Sequence, residues 1–79
     1  MQQTLPSISE FQSSVAYEFS VPADELSLDL PLGELGFGSL ARVELLAVMD
    51  ELGFPVPADL VLGDITLRGL YDAGVSAAA

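Results

Sequence analysis

The chain contains no cysteine, no histidine, no lysine and no tryptophan. Without cysteine, no disulfide can hold a small fold together, and without a Cys/His cluster no zinc site can do so. Disulfide-dependent secretion is accordingly not expected. The missing histidine removes the general base of a Ser-His-Asp triad. The missing lysine rules out a phosphate-binding P-loop. Positive charge is nearly absent as well: Arg42 and Arg68 stand against twelve acids, for a formal net charge of −10. Counterion release cannot drive such a surface onto nucleic acid, and an anionic bilayer repels it. Two roles remain for the charge, solubility alone or steering toward a protein partner that carries a basic patch. No apolar run approaches the roughly 20 residues that span a bilayer. Met1 to Phe11 has neither the basic nor the apolar region of a signal peptide. A cytoplasmic location is the expectation.

What is present fits one small domain covering 1–79. A chain of 79 residues buries only about 60% of its unfolded surface, so its stability is thin and rests on apolar packing. Leucine, valine, isoleucine and alanine are plentiful enough to supply it. Adjacent acids such as Asp50 and Glu51 point to different sides of a helix and make no acid/base couple. No Asp/Glu spacing resembles a calcium loop. Neither catalysis by the chain's own residues nor a metal site is expected.

Hydrophobic spacing divides the chain into helices. Ser7 and Glu10 form an S-x-x-E capping box, and Ile8, Phe11, Val15 and Phe19 follow at helical intervals as a buried stripe, with Gln12 and Glu18 on other faces. Val21-Pro22 is expected to end this first helix. Ala23 to Gly38 reads as a long connection. Leu26, Leu28, Leu30 and Leu32 alternate like a strand, but Pro31, the glycines at 33 and 36, and the want of a second run to pair with favour a loop pinned by leucines. A second helix is expected from Ser39 to Leu52. Leu40, Val43, Leu46 or Ala47, and Asp50 recur three or four residues apart, Leu45 and Met49 widen the apolar face, and Gly53 closes the helix. A short turn over Ala58 to Leu62 ends at Gly63. A last helix spans Thr66 to Ala73, capped by Asp64 or Thr66, with Leu67, Leu70 and Tyr71 inward and Val75 to Ala79 fraying. The fold class is all-α: three main helices, one short helix and a long first loop.

One motif in this frame carries chemistry. Gly36 to Ala41 formally matches the G-x-G-x-x-A dinucleotide fingerprint, but neither a preceding strand nor a βαβ unit is available, so the match is fortuitous. Ser39 opens a helix, where serine commonly serves only as a cap. The same place, beside unpaired backbone N–H groups in a positive partial field, also favours a phosphate ester once one is attached.

The stretch from Glu34 to Leu45, reading E-L-G-F-G-S-L-A-R-V-E-L, resembles the attachment site of acyl carrier proteins. It is most similar to the carrier domains of polyketide synthases, with L-G-F-D-S-L followed by V-E-L. The likeness extends over nearly the whole chain, including the break at Phe54-Pro55-Val56-Pro57. It implies an acyl-carrier-like bundle whose Ser39 receives 4′-phosphopantetheine from coenzyme A through a phosphopantetheinyl transferase. The arm's thiol would hold acyl intermediates as thioesters for loading, elongating or tailoring enzymes of polyketide or related secondary metabolism, without catalysis by the carrier. By the same resemblance Leu40, Val43, Glu44, Asp50 and Glu51 are partner-recognition residues, and a monomer is implied. Any cavity for the acyl chain depends on packing around Phe37, Leu46, Ala47 and Val61. Gly38 departs from the family's usual Asp, and Ala41 and Arg42 depart from fatty-acid carriers, with Arg42 adding a positive charge to the recognition helix. Two alternatives stay open: an unmodified carrier-like interaction module, and a peptidyl carrier protein, against which Phe37 tilts. The opening Met1 and the end soon after the last helix suit a free-standing protein, with an excised domain as the other option.

Overall fold

A hydroxyl and a carboxylate start the first helix. Ser7 Oγ accepts from the Glu10 N–H at 3.2 Å, and the Ser7 N–H donates to Glu10 Oε1 at 2.9 Å. This reciprocal capping box opens α1, Ile8–Glu18. The computed structural model describes residues 5–78 of the chain. Three further helices follow: α2, Ser39–Glu51; α3, Ala58–Leu62; and α4, Leu67–Ala78. Among the described residues there is no strand, and the all-α architecture matches the helical spacing of the sequence.

Two helix ends use the same device. At α2, the Gly53 N–H bonds Asp50 O at 3.1 Å and the Phe54 N–H bonds Met49 O at 2.8 Å, with Gly53 at φ 91°. This is a Schellman ending, and it turns Phe54 into the core. At α1, the equivalent bonds run from Ser20 to Tyr17 and from Val21 to Ala16, with Ser20 at φ 56°. The first helix therefore stops at Glu18, ahead of Pro22, because a left-handed serine reverses the chain there. A side chain in that conformation is uncommon, and the two capping bonds compensate for it.

The long connection between α1 and α2 begins with a 3-10 turn, Ala23–Glu25, and is otherwise tied down by bonds the sequence did not announce. Gln12, expected off the buried stripe, is half-buried and donates from Nε2 to Ala23 O at 3.1 Å and Leu26 O at 2.7 Å. Leu26 and Leu32 are buried, and Leu28 is partly so, whereas Leu30 points outward. The Leu32 N–H bonds Ile65 O at 2.9 Å, and the Arg68 N–H bonds Leu28 O at 3.0 Å. These contacts, with a single isolated bridge between Pro31 and Thr66, fasten the loop to the start of α4 without forming a strand.

The core gathers Phe11 and Val15 from α1, Leu45, Val48 and Met49 from α2, Val61 from α3, and Leu67 and Leu70 from α4. Phe11, Phe54 and Tyr71 form an aromatic cluster with ring centroids 5.4–6.1 Å apart. The Tyr71 hydroxyl donates to Pro6 O at 2.8 Å, so its polar end is paired. Phe54 also explains Gly74. A Cβ on Gly74 would lie 2.8 Å from the Phe54 Cβ, so α4 accepts glycine there to let the ring in. The final helix runs on to Ala78, past the expected end at Ala73, because Val75 packs against the core. Ala79 lies outside the described residues.

Candidate functional site

The approach to Ser39 is built on one buried ring. Phe37 is buried and packs against Phe19 with ring centroids 4.9 Å apart. Gly36, at φ 84°, makes the left-handed step that precedes it. The chain then emerges at Gly38 in extended conformation and enters α2 at Ser39. The cap position belongs to Gly38, not to Ser39, which is the first helical residue. Gly38 offers no side-chain cap. The first intrahelical bond is donated by the Arg42 N–H to Gly38 O at 3.0 Å, so the N–H groups of Ser39, Leu40 and Ala41 have no partner inside the helix. Ser39 is exposed, and among the described residues its hydroxyl makes no hydrogen bond. A Cβ built on Gly36 or Gly38 would meet nothing within 4 Å. The surroundings of the serine are therefore open, and the bare helix start presents N–H donors and no acid in its first turn. Such a start suits the oxygens of a phosphodiester.

Arg42 behaves differently from its sequence expectation. Instead of placing a cation on the outer face of α2, it turns back across the molecule. Its Nε donates to Phe37 O at 3.0 Å, and its Nη1 donates to Gly63 O at 2.7 Å and Val61 O at 3.3 Å. One guanidinium thus joins the turn before Ser39 to the C-terminal end of α3, where carbonyls lack helical partners. Sequence reasoning missed this because all three acceptors are backbone atoms, and those of Val61 and Gly63 lie 19 and 21 residues away. The other arginine, Arg68, pairs with Asp29, Nε to Oδ1, at 2.8 Å. That pair hydrogen-bonds the Asp29 carboxylate and places a positive charge beside it, holding its pKa below the ordinary value. Both groups are exposed and lie away from Ser39 on the chain.

The expected recognition residues divide between two edges of α2. Leu45, Val48 and Met49 are its buried face. Leu40 (74% exposed) and Val43 (56%) stand on the outside with Ala47, so the Leu40–Val43–Asp50 spacing marks the outer surface and not the core. At 3.6 residues per turn, Ser39, Val43 and Asp50 fall within about 40° of one another, while Leu40, Glu44 and Glu51 lie roughly 100° further round. Glu44, Asp50 and Glu51 are all exposed.

A groove of about 710 Å3 adjoins the first edge, lined by Val43, Leu46, Ala47 and Asp50 of α2 and by the Phe54–Pro57 segment. It starts one turn beyond Ser39 on the same side of the helix. Of the residues expected around a cavity, Leu46 and Ala47 line this groove, whereas Phe37 and Val61 are core. A second groove, about 400 Å3, lies on the other edge between α1 and α2, and Glu51 lines it. Asp50 and Glu51, adjacent in sequence, therefore serve different grooves. Among the described residues no group of acids is placed to hold a metal, and no helix is long and apolar enough to cross a membrane.

Compared with known protein families, residues 9–73 match the model described as the phosphopantetheine attachment site. Neither a curated protein nor a solved structure matched the chain. The matched span contains all of α1 but its first residue, the long loop, α2, α3 and the first half of α4, together with every candidate residue discussed above.

Proposed function

The chain belongs to the phosphopantetheine-attachment family of carrier proteins, and we propose that Ser39 is the residue that bears its covalent 4′-phosphopantetheine arm. The observation that carries this reading is the helix start itself. Ser39 is exposed at the first position of α2, with three backbone N–H groups lacking helical partners and open space over Gly36 and Gly38. Those N–H groups and the positive end of α2 favour the phosphodiester oxygens, while Phe37 and Arg42 hold the turn from below. When bound, the arm supplies a terminal thiol on which acyl groups are carried as thioesters.

In this reading the chain catalyses nothing itself and is handed between enzymes. Leu40 and Val43 give the outer face of α2 an apolar contact, and Glu44, Asp50 and Glu51 surround it with negative charge. A transferase or acyl-processing enzyme with a basic patch complements that face and is steered to it. We assign the cargo to polyketide or related secondary metabolism because the pre-serine sequence is Gly36-Phe37-Gly38 and its Phe37 is built into the core. A peptidyl carrier is the neighbouring alternative.

One observation favours a second reading, a carrier-like module that is never modified. Gly38 has room for a side chain yet lacks the acid the family usually places before the serine. Intact-mass measurement after incubation with coenzyme A and a broad-specificity phosphopantetheinyl transferase separates the two. A phosphopantetheine-sized gain that disappears in Ser39→Ala is expected. An unchanged wild-type mass across several transferases would leave only the interaction module.

A further inference from the structure

The groove between α1 and α2 has no part in the attachment chemistry, yet its composition is unusual for this chain. Its floor is apolar, from Val48 and Leu52, and Ser13 and Ser14 keep it clear because their side chains are small. On its rim stand Tyr17, Glu18 and Glu51. Tyr17 is 86% exposed, the most exposed large hydrophobic residue among those described. The chain's other tyrosine, by contrast, is packed against Phe11 and Phe54 with its hydroxyl paired. Among the described residues, none of the polar side chains at this groove makes a hydrogen bond or ion pair within the chain. Among the described residues no cation neutralises the rim either, because Arg42 is held by backbone carbonyls and Arg68 by Asp29.

We infer that this groove, which shares only Glu51 with the recognition face of α2, is a second docking surface that takes an arginine-bearing segment of a partner protein. An aromatic face flanked by two carboxylates is complementary to a guanidinium, which stacks on the ring and forks onto a carboxylate. A lysine ammonium finds the charge but gains less from the ring. The apolar floor accepts an aliphatic neighbour of that arginine. Nucleic acid and anionic lipid are repelled by the same carboxylates. Glu51 lies about 18 Å along the α2 axis from Ser39 and on the other edge of the helix. A segment held here leaves Ser39 accessible, so a partner can tether the carrier while the serine end faces an active site. The inference does not depend on the identity of the attachment residue.

The test is a titration of the isotopically labelled full chain, followed by backbone amide shifts. The probes are capped peptides of sequence arginine-leucine-arginine and lysine-leucine-lysine. Saturable shifts are expected at residues 13–18 and 48–52, with the arginine peptide binding about two- to fivefold more tightly. Tyr17→Ala should erase that preference, and Glu51→Gln should weaken both peptides. Tyr17 and Glu51 are exposed, and an unchanged far-ultraviolet spectrum confirms that the variants fold. Ser39→Ala should titrate like the wild type, which keeps this result separate from the attachment reading. The inference is overturned by non-saturating shifts spread over remote acids such as Glu10 and Asp59. Shifts centred on residues 39–43, or an arginine preference that survives Tyr17→Ala, overturn it equally.

Discussion

Replacing Arg42 tests whether the turn before Ser39 is held by geometry or merely by charge. The guanidinium makes two good hydrogen bonds, to Phe37 O at 3.0 Å and Gly63 O at 2.7 Å, and a longer one to Val61 O at 3.3 Å. Hydrogen bonds from a charged donor contribute roughly 1.5–3 kcal/mol each when well shielded. Arg42 is only half-buried and Gly63 is exposed, so water recovers part of the loss. Arg42→Ala should therefore cost about 2–4 kcal/mol. Against a total of roughly 4–12 kcal/mol for a chain of this length, that is a large fraction. Arg42→Lys keeps the charge but loses the planar fork that reaches two separate carbonyls, and should cost about 1–2 kcal/mol. Urea denaturation at unchanged m-value measures both costs, and hydrogen exchange at residues 58–63 localises the effect to α3. If Arg42→Lys is indistinguishable from wild type, the charge alone matters and the clamp argument fails. If Arg42→Ala costs less than about 0.5 kcal/mol, the bonds themselves contribute nothing measurable.

Gly74→Ala should destabilise the protein by about 1–3 kcal/mol in urea denaturation, although alanine is the better helix former, because the new Cβ would press within 2.8 Å of Phe54. Gly38→Asp should fit without strain and stabilise by a few tenths of a kcal/mol, since the cap position has open space and no side-chain cap; thermal unfolding would show it. Asp29→Asn should open a small stability gap from wild type that is constant at neutral pH. The Asp29 pKa is lowered in the fold by Arg68, so the stabilisation exists above the ordinary carboxylate value of 3.8 and is lost as the pH falls through the folded value. The gap should narrow in that acidic window and with added salt, both followed by denaturation at fixed temperature. Reversing Glu44 and Asp50 to lysine should slow modification of Ser39 at low salt and less so at high salt, as measured by initial rates of mass gain.

Local signals were legible where the physics is local. The capping box at Ser7 and Glu10, the bounds of α3, and the Gly53 ending of α2 involve residues within about five positions of one another, and each lies where the sequence placed it. Pro22 is the evident breaker after α1, yet the helix ends before reaching it. A left-handed serine with two capping bonds acted earlier, and no residue type announces that conformation as glycine does. On α2, periodicity found a helix but not which side of it faces inward. Leu40 and Val43 are as apolar as Leu45 and Val48, and only the positions of α1 and α3 separate them. The unfamiliar role of Arg42 has the same origin, since backbone acceptors leave no mark in the side-chain sequence.

By itself, the order of residues determined the helical class, the acidic surface without histidine or cysteine, and the serine-led motif by which the family can be recognised. Those properties depend on composition and on spacing within a few turns. The tertiary structure alone decided that Arg42 faces inward to α3 and that Asp50 and Glu51 attend separate grooves. Each of these depends on where distant segments pack. Neighbours on one helix are separated by about 100° of rotation, so packing, and not sequence adjacency, chooses the surface each one meets.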